Sequence, residues 1–263
     1  MSVSLRDLLE AGVHFGHQTR RWNPKMKPFI YGAKNGIHII DLQRTARGLV
    51  DASRFVTQTV AHGGSVLFVG TKRAAQDAVK EESSRSGMFY VNNRWLGGTL
   101  TNWQTVKKSI ERLTQLEKAR SEGRFDLLTK KEALELTREI EKMDRNLGGI
   151  KGMKGLPSAL FIVDPKKEHI AVKEANTLGI PVVALCDTNC DPTGIDFVIP
   201  GNDDALKSIR LFVTAIGDAA AEGKSSSTSR AAESYVGQSE PEVEVVSRRG
   251  AYVESDDSDD ANA

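Results

Sequence analysis

The sequence predicts an α/β fold built on a doubly wound, mostly parallel sheet, and three observations predict it. Short runs of uniformly apolar residues recur along the chain, segments of helical period separate them, and one strand–turn–basic pair–helix unit occurs twice. Strands that are apolar throughout need cover on both faces, which helices on either side of a parallel sheet supply. At 263 residues the chain can bury one large core or two smaller ones.

Taken in order, residues 1–36 read as an N-terminal arm. Arg6 and Asp7 sit in a helix-like pattern where a secretory signal needs a basic stretch and then an apolar one, so no export is expected. Residues 37–42 read as the first strand of the sheet. The next segment sets Leu42, Ala46, Leu49, Val50, Val56 and Val60 on one helical face, and Gly63 and Gly64 end it. Val66–Val69 is a continuous apolar strand, 74–82 a helix and Phe89–Val91 a third strand. The run LFVGTKR at 67–73 shares its plan with LFIVDPKK at 160–167: apolar strand, tight turn, two basic residues, then helix. Residues 182–185 and 197–199 are further buried strands. Asp203 or Asp204 is expected to cap a last helix through Leu206, Ile209, Val213 and Ile216. The sheet domain is therefore expected over 37–103 and 148–223.

Residues 104–147 interrupt that plan with two amphipathic patterns and no strand. Val106, Ile110, Leu113 and Leu116 line the first, and Ala133, Leu136, Ile140, Met143 and Leu147 the second, which predicts a protruding antiparallel coiled-coil hairpin. From residue 224 serine and acidic residues take over, and 224–263 reads as a disordered acidic tail.

Charge follows the same division. The whole chain carries a formal +1, but residues 224–263 hold 4 basic and 9 acidic side chains, so residues 1–223 carry +6, a balance that suits a polyanionic partner. No apolar run approaches the ~20 residues of a membrane span, so no membrane partner is expected. Two cysteines, Cys186 and Cys190, suit a reducing, cytoplasmic setting and are too few for an all-cysteine zinc site.

Enzymatic signatures fail on spacing. The turn after Val66–Val69 lacks the glycine-lysine order of a phosphate-binding P-loop, and no dinucleotide fingerprint follows the first strand. The five histidines match neither a nucleophile elbow nor a zinc-protease motif. A nucleotide-binding enzyme on the same sheet stays as the alternative reading, because fold alone does not decide function.

Three segments fit a nucleic-acid surface. Residues 18–34 interleave Arg20, Arg21, Lys25, Lys27 and Lys34 with Trp22, Phe29 and Tyr31, so cations can neutralise phosphates while rings stack on bases. Residues 92–103 combine Arg94 and Trp95 with Thr99 and Asn102 around a Gly-Gly turn, although those rings also suit bracing the hairpin. The hairpin adds Lys107, Lys108, Arg112, Lys130, Lys131 and Arg138. A fourth constellation is acidic. Asp187 follows one strand, Asp203 and Asp204 follow another, and in a parallel sheet both loops open at one edge, so with His17 they form a candidate site for a structural magnesium or zinc ion.

At these segments the sequence resembles the bacterial S-two family of small-ribosomal-subunit proteins. AGVHFGHQTR at 11–20, WNPKMKPFI at 22–30, LFVGTKR at 67–73, RWLGG at 94–98, LTNW at 100–103, IPV at 180–182 and PGNDD at 200–204 carry the likeness, which spans about 3–222. The resemblance implies a non-enzymatic structural protein with a flavodoxin-like sheet and a coiled-coil hairpin. It implies contact with small-subunit rRNA between head and body, and partners that include neighbouring subunit proteins and the mRNA-binding ribosomal protein S-one. It also implies a place in the cytoplasmic ribosome, no required cofactor and no homo-oligomer.

Overall fold

In the computed structural model, which describes residues 3–236 and side chains as far as 227, five parallel strands form the central sheet. They are β4 (Val66–Val69), β5 (Phe89–Val91), β6 (Ala159–Val163), β7 (Val182–Cys186) and β8 (Phe197–Pro200), in the spatial order β5-β4-β6-β7-β8. Numbered along the chain within this sheet, the order is 2-1-3-4-5, that of flavodoxin-like folds, with the switch point between β4 and β6. All residues of β4, β6 and β7 are buried, as their uniformly apolar sequences require.

Alternation along the strands divides the core in two. Val66, Phe68, Phe161, Val183 and Leu185 face α2 (Leu42–Ala61) and α7 (Leu206–Val236), which carry Leu49, Val56, Ile209 and Phe212 into that layer, with α3 (Gln76–Ser86) adding Val79. Leu67, Val69, Leu160, Ile162 and Ala184 face the opposite layer, which holds α6 (His169–Leu178) through Ala171 and Ala175. The buried residues of α4 (Trp103–Ser121) and α5 (Lys130–Leu147), including Ile110, Leu113, Leu116, Ile140 and Leu147, belong to this second layer. Their apolar seam thus continues into the core of the sheet domain. Thr129 and Glu132 form a reciprocal capping box that opens α5 after the turn at Gly123.

The strand expected at 37–42 does not join the parallel sheet. β3 (Ile37–Ile40) pairs antiparallel with β1 (Phe15–Gln18) and β2 (Ile30–Lys34) in a separate sheet of order β1-β3-β2. The reason is local: Asn35 and Gly36 both take positive φ, 52° and 74°, the two-residue hairpin turn that Asn-Gly favours. Much of the expected extended arm is consequently built structure, with α1 (Leu5–Glu10) in front, capped reciprocally by Ser4 and Asp7.

Two further expectations change at the C-terminal end. Among the described residues neither Asp203 nor Asp204 accepts a backbone N–H at the start of α7; Asn202 Oδ1 accepts those of Asp204 and Ala205, in the turn that precedes the helix. The helix also continues through 224–236, residues that read as the start of the tail, while 237–263 lie outside the described residues.

Candidate functional site

The loops after β4, β6, β7 and β8 meet at one edge of the parallel sheet, and β1 is laid across them. Gly16 makes that approach feasible, since a Cβ there would stand 2.6 Å from Thr188 Cγ2. His17 follows, and its backbone N–H donates to Asp187 Oδ1 at 3.2 Å and Thr188 Oγ1 at 3.0 Å. Its ring reaches Asp187 Oδ2 at 2.9 Å through Nδ1 and Asp204 Oδ2 at 3.4 Å through Nε2. The structure therefore brings His17, Asp187, Asp203 and Asp204 together, the three aspartates through the loop topology and His17 through the N-terminal arm folded over that edge.

A residue absent from that expectation stands among them. Lys72, from the turn after β4, places Nζ 2.7 Å from Asp203 Oδ1 and 3.6 Å from Asp164 Oδ2, and it also pairs with Asp204. Several carboxylates this close require positive charge, and the chain supplies it internally. Burial pulls the Lys72 ammonium toward neutrality, but its hydrogen bonds to Asp203 and Asp204 and the charges of Asp203 and Asp164 outweigh it and raise its pKa. Asp203 is fully buried, and burial, with the charges of Asp164 and Asp187, pushes its carboxyl up to about 7. The His17 imidazole is raised, first by its hydrogen bond to Asp187. The signal for Lys72 was present in the sequence as the basic pair of the strand–turn unit, without any hint of what the pair faces.

Sites where backbone amides could receive a phosphate are filled by the chain's own carboxylates. Beside β4, Glu168 accepts from the Thr71 N–H at 3.3 Å and from its hydroxyl. In the 95–101 loop, Glu174 accepts the Trp95 indole N–H at 3.0 Å, the backbone N–H groups of Gly98, Leu100 and Thr101 at 2.8, 2.9 and 3.0 Å, and the Thr101 hydroxyl at 3.1 Å. Burial works to raise the Glu174 carboxyl, but these donors hold it below its ordinary value.

That arrangement corrects two of the surface residues expected from sequence. Trp95 and Thr99 are 6% and 3% exposed, and the Thr99 hydroxyl donates to the Leu96 carbonyl, so both brace the loop and present nothing to a partner. The expected cations Arg20, Arg21, Lys25, Lys27, Lys34, Arg94, Lys107, Lys108, Arg112, Lys130, Lys131 and Arg138 are all exposed, as are Trp22 and Asn102. Three are engaged within the chain: Lys25 pairs with Asp191 at 2.9 Å, Arg112 with Glu139 at 3.6 Å, and Arg20 Nε donates to Gln18 Oε1 at 2.9 Å. No helix among the described residues is long and apolar enough to cross a membrane.

Comparison with known proteins gives a consistent result. Residues 8–223 match the family model described as Ribosomal protein S2. The Small ribosomal subunit protein uS2 of Acidobacterium capsulatum is 60% identical over 222 residues, covering 84% of this chain and 74% of the relative. Proteins of the same name from Sorangium cellulosum and Koribacter versatilis are 59% identical over 221 residues (84% of this chain, 80% of the relative) and 56% over 252 (91% and 84%). The segments at 11–20, 67–73, 94–98 and 200–204 that carry the resemblance are those that build the sheet edge and the Glu174 loop, and on these matches the chain belongs to the ribosomal protein S2 family.

Proposed function

We propose that this chain is a structural constituent of the small ribosomal subunit that binds rRNA and works without catalysis in the cytoplasmic ribosome, as a single copy among neighbouring subunit proteins. The observation that carries this reading is a separation of charge. The sheet edge where a flavodoxin-like fold would take a nucleotide is occupied by Asp164, Asp187, Asp203 and Asp204, which repel phosphate, while the exposed cations lie on the arm, the 94–102 loop and the α4–α5 pair. Exposed Arg and Lys on several elements suit a folded RNA whose phosphates approach from several directions. Family membership supports the same role, and it also supports rRNA contact between head and body and help in anchoring the mRNA-binding protein S-one. In this reading α4 and α5 form a coiled-coil hairpin that serves as one of the grips.

The test is binding of the full chain to small-subunit rRNA across a salt series. Affinity should fall steeply with salt, and replacing Arg20, Arg21 and Lys27 together by Ala should weaken binding and flatten the slope of log affinity against log salt by about two to three. An unchanged slope removes the arm from the RNA surface.

A second reading concerns the carboxylate cluster. Asp203 Oδ2 is buried with no hydrogen-bond partner among the described residues, and ligand atoms of His17, Asp187 and Asp203 lie within 4.8 Å of one another. The donors fit a small divalent ion held by His17, Asp187 and Asp203, with Asp204 beside them. One imidazole nitrogen among carboxylates shifts the preference from magnesium toward zinc.

A further inference from the structure

Between the β6–α6 turn and the β7–β8 loop lies a cleft of about 400 Å³, closed on its third side by Asn23 of the N-terminal arm. Its wall carries Lys166, His169 and Lys173 together with the amides of Asn23, Asn176 and Asn189. Asp191, the one carboxylate on the rim, accepts the Thr193 backbone N–H at 2.9 Å and pairs with Lys25 at 2.9 Å, and hydrogen bonds from Thr193 first and Lys25 next lower its pKa to about 2. The same ion pair fastens the arm over the cleft, as does the Asn23 N–H donating to the Thr188 carbonyl at 2.8 Å.

The polar groups here differ from those of the neighbouring loops. Around Thr71 and the 95–101 loop the donors named above are spent within the chain, on Glu168, on Glu174 and, for the Thr99 hydroxyl, on the Leu96 carbonyl. In the cleft, among the described residues, the side chains of Lys166, His169, Lys173 and Asn176 make no hydrogen bond or ion pair. Asn23 Oδ1 already accepts the Lys25 N–H and Asn189 Oδ1 accepts from Cys190 Sγ, so the concave wall leaves unspent two lysines, an imidazole, the Asn176 amide and the amide N–H groups of Asn189, a set arranged for an external ligand with both an anionic group and hydrogen-bonding edges. Arg94 and Lys167 border the adjoining hollow at Thr71 and Asn93, so the positive surface extends from the cleft toward the 94–98 loop.

We propose that this cleft receives one unstacked nucleotide of single-stranded RNA, with Lys166 and Lys173 on its phosphates and the amides of Asn176 and Asn189 on its base edge or 2′-hydroxyl. The volume suits one nucleotide and excludes a duplex, and amides offer the donor and acceptor pairing that single-stranded recognition uses. The proposal rests on the rRNA-binding reading and names a contact that the arm, the 94–102 loop and the α4–α5 pair do not include.

Fluorescence anisotropy on the full chain with a labelled single-stranded RNA 12-mer, its DNA counterpart and the RNA duplex tests it, with K166A/K173A, N176A/N189A and, as a control outside the cleft, K107A/K108A. K166A/K173A is expected to weaken single-stranded RNA binding about tenfold and to lower the salt slope by about 1.4. N176A/N189A is expected to reduce the preference for RNA over DNA while leaving the salt slope unchanged. In the wild type, a 4-thiouridine in the strand should crosslink to a peptide containing residues 166–176 or 189–193. If K166A/K173A binds as wild type while K107A/K108A binds more weakly, the cleft is refuted and the rRNA reading stands. If wild type binds no RNA above background, both fall.

Discussion

The Trp95 indole N–H donates to Glu174 Oε1 at 3.0 Å, and the other oxygen of this carboxylate accepts the backbone N–H groups of Leu100 and Thr101. One buried carboxylate from α6 thus organises a loop 73 to 79 residues away in sequence, and through it the entry to α4.

Glu174→Gln keeps the shape but turns amide hydrogens toward N–H donors, so a loss of about 3 kcal/mol in urea unfolding at pH 7 is expected. The pH dependence has a definite sign. Because the folded-state pKa of Glu174 lies below 4.5, its contribution is complete above 4.5 and is lost as pH falls through the lower folded value. The stability gap between wild type and Glu174→Gln should be constant from pH 8 to 5 and close below about 4.5. A loss under 1 kcal/mol at pH 7, or a gap that widens on acidification, contradicts the role given to Glu174.

How much of this was legible in sequence follows from which interactions are local. The apolar strands Val66–Val69 and Ala159–Val163 announced a parallel sheet, and the periodicity of Leu49, Ala52, Val56 and Val60 announced α2, because each pattern lies within one element. Asp187 and Asp203 were legible as neighbours because the loops after β7 and β8 open at one edge of a parallel sheet, whereas His17 joins them only because β1 of the separate antiparallel sheet lies across that edge. Lys72 and Glu174 stayed invisible because their partners lie 131 and more than 70 residues away, and no pattern around either residue encodes the partner. Trp95 misled for the same reason: an Arg-Trp pair beside a Gly-Gly turn reads alike whether the ring is exposed or held by a distant carboxylate. The placement of 37–42 had a local remedy, because the Asn35-Gly36 turn was in the sequence to be read.

The α4–α5 pair should divide into a base that the core needs and a tip that it does not. Leu113 is fully buried in the same layer as Leu67 and Val69, so Leu113→Ala should cost about 3 kcal/mol in global unfolding. By contrast Leu127 and Leu128 at the turn are 88% and 41% exposed, and replacing both by Ser should move the thermal midpoint by less than about 1 °C. Equal effects from the two changes would mean that the seam is not continuous with the sheet core.

Residues 237–263 hold eight acidic and two basic side chains, so their removal changes the net charge by six toward positive. Ending the chain after Val236 keeps α7 as described. Binding to small-subunit rRNA should be unchanged or up to a few-fold stronger at low salt, because the deleted charge repels phosphate, and the gain should vanish as the screening length shortens at high salt. A marked loss of binding would instead assign the tail a contact of its own.

The last expectation sets Lys72 against a metal ion at the carboxylate cluster. The ammonium occupies Asp203 Oδ1 at 2.7 Å and also faces Asp164 and Asp204, so a divalent ion entering between His17, Asp187 and Asp203 would meet a resident cation competing for the same oxygens. Like charges a few ångströms apart in a partly buried site repel by an amount that solvent screens poorly. Lys72→Met removes the competitor while keeping the length of the side chain, and calorimetric titration of the metal-stripped protein with zinc should show binding at least about tenfold tighter than in wild type, a gain of roughly 1.4 kcal/mol. Asp203→Asn should abolish that gain in the Lys72→Met background, because it removes the charge on the buried oxygens. Magnesium should gain less, since it favours an all-oxygen shell and keeps several of its waters. If neither wild type nor Lys72→Met shows saturable heat with zinc, or if Asp203→Asn binds it as well as its parent, the cluster holds no ion, and Lys72 with His17 is the whole of its charge balance.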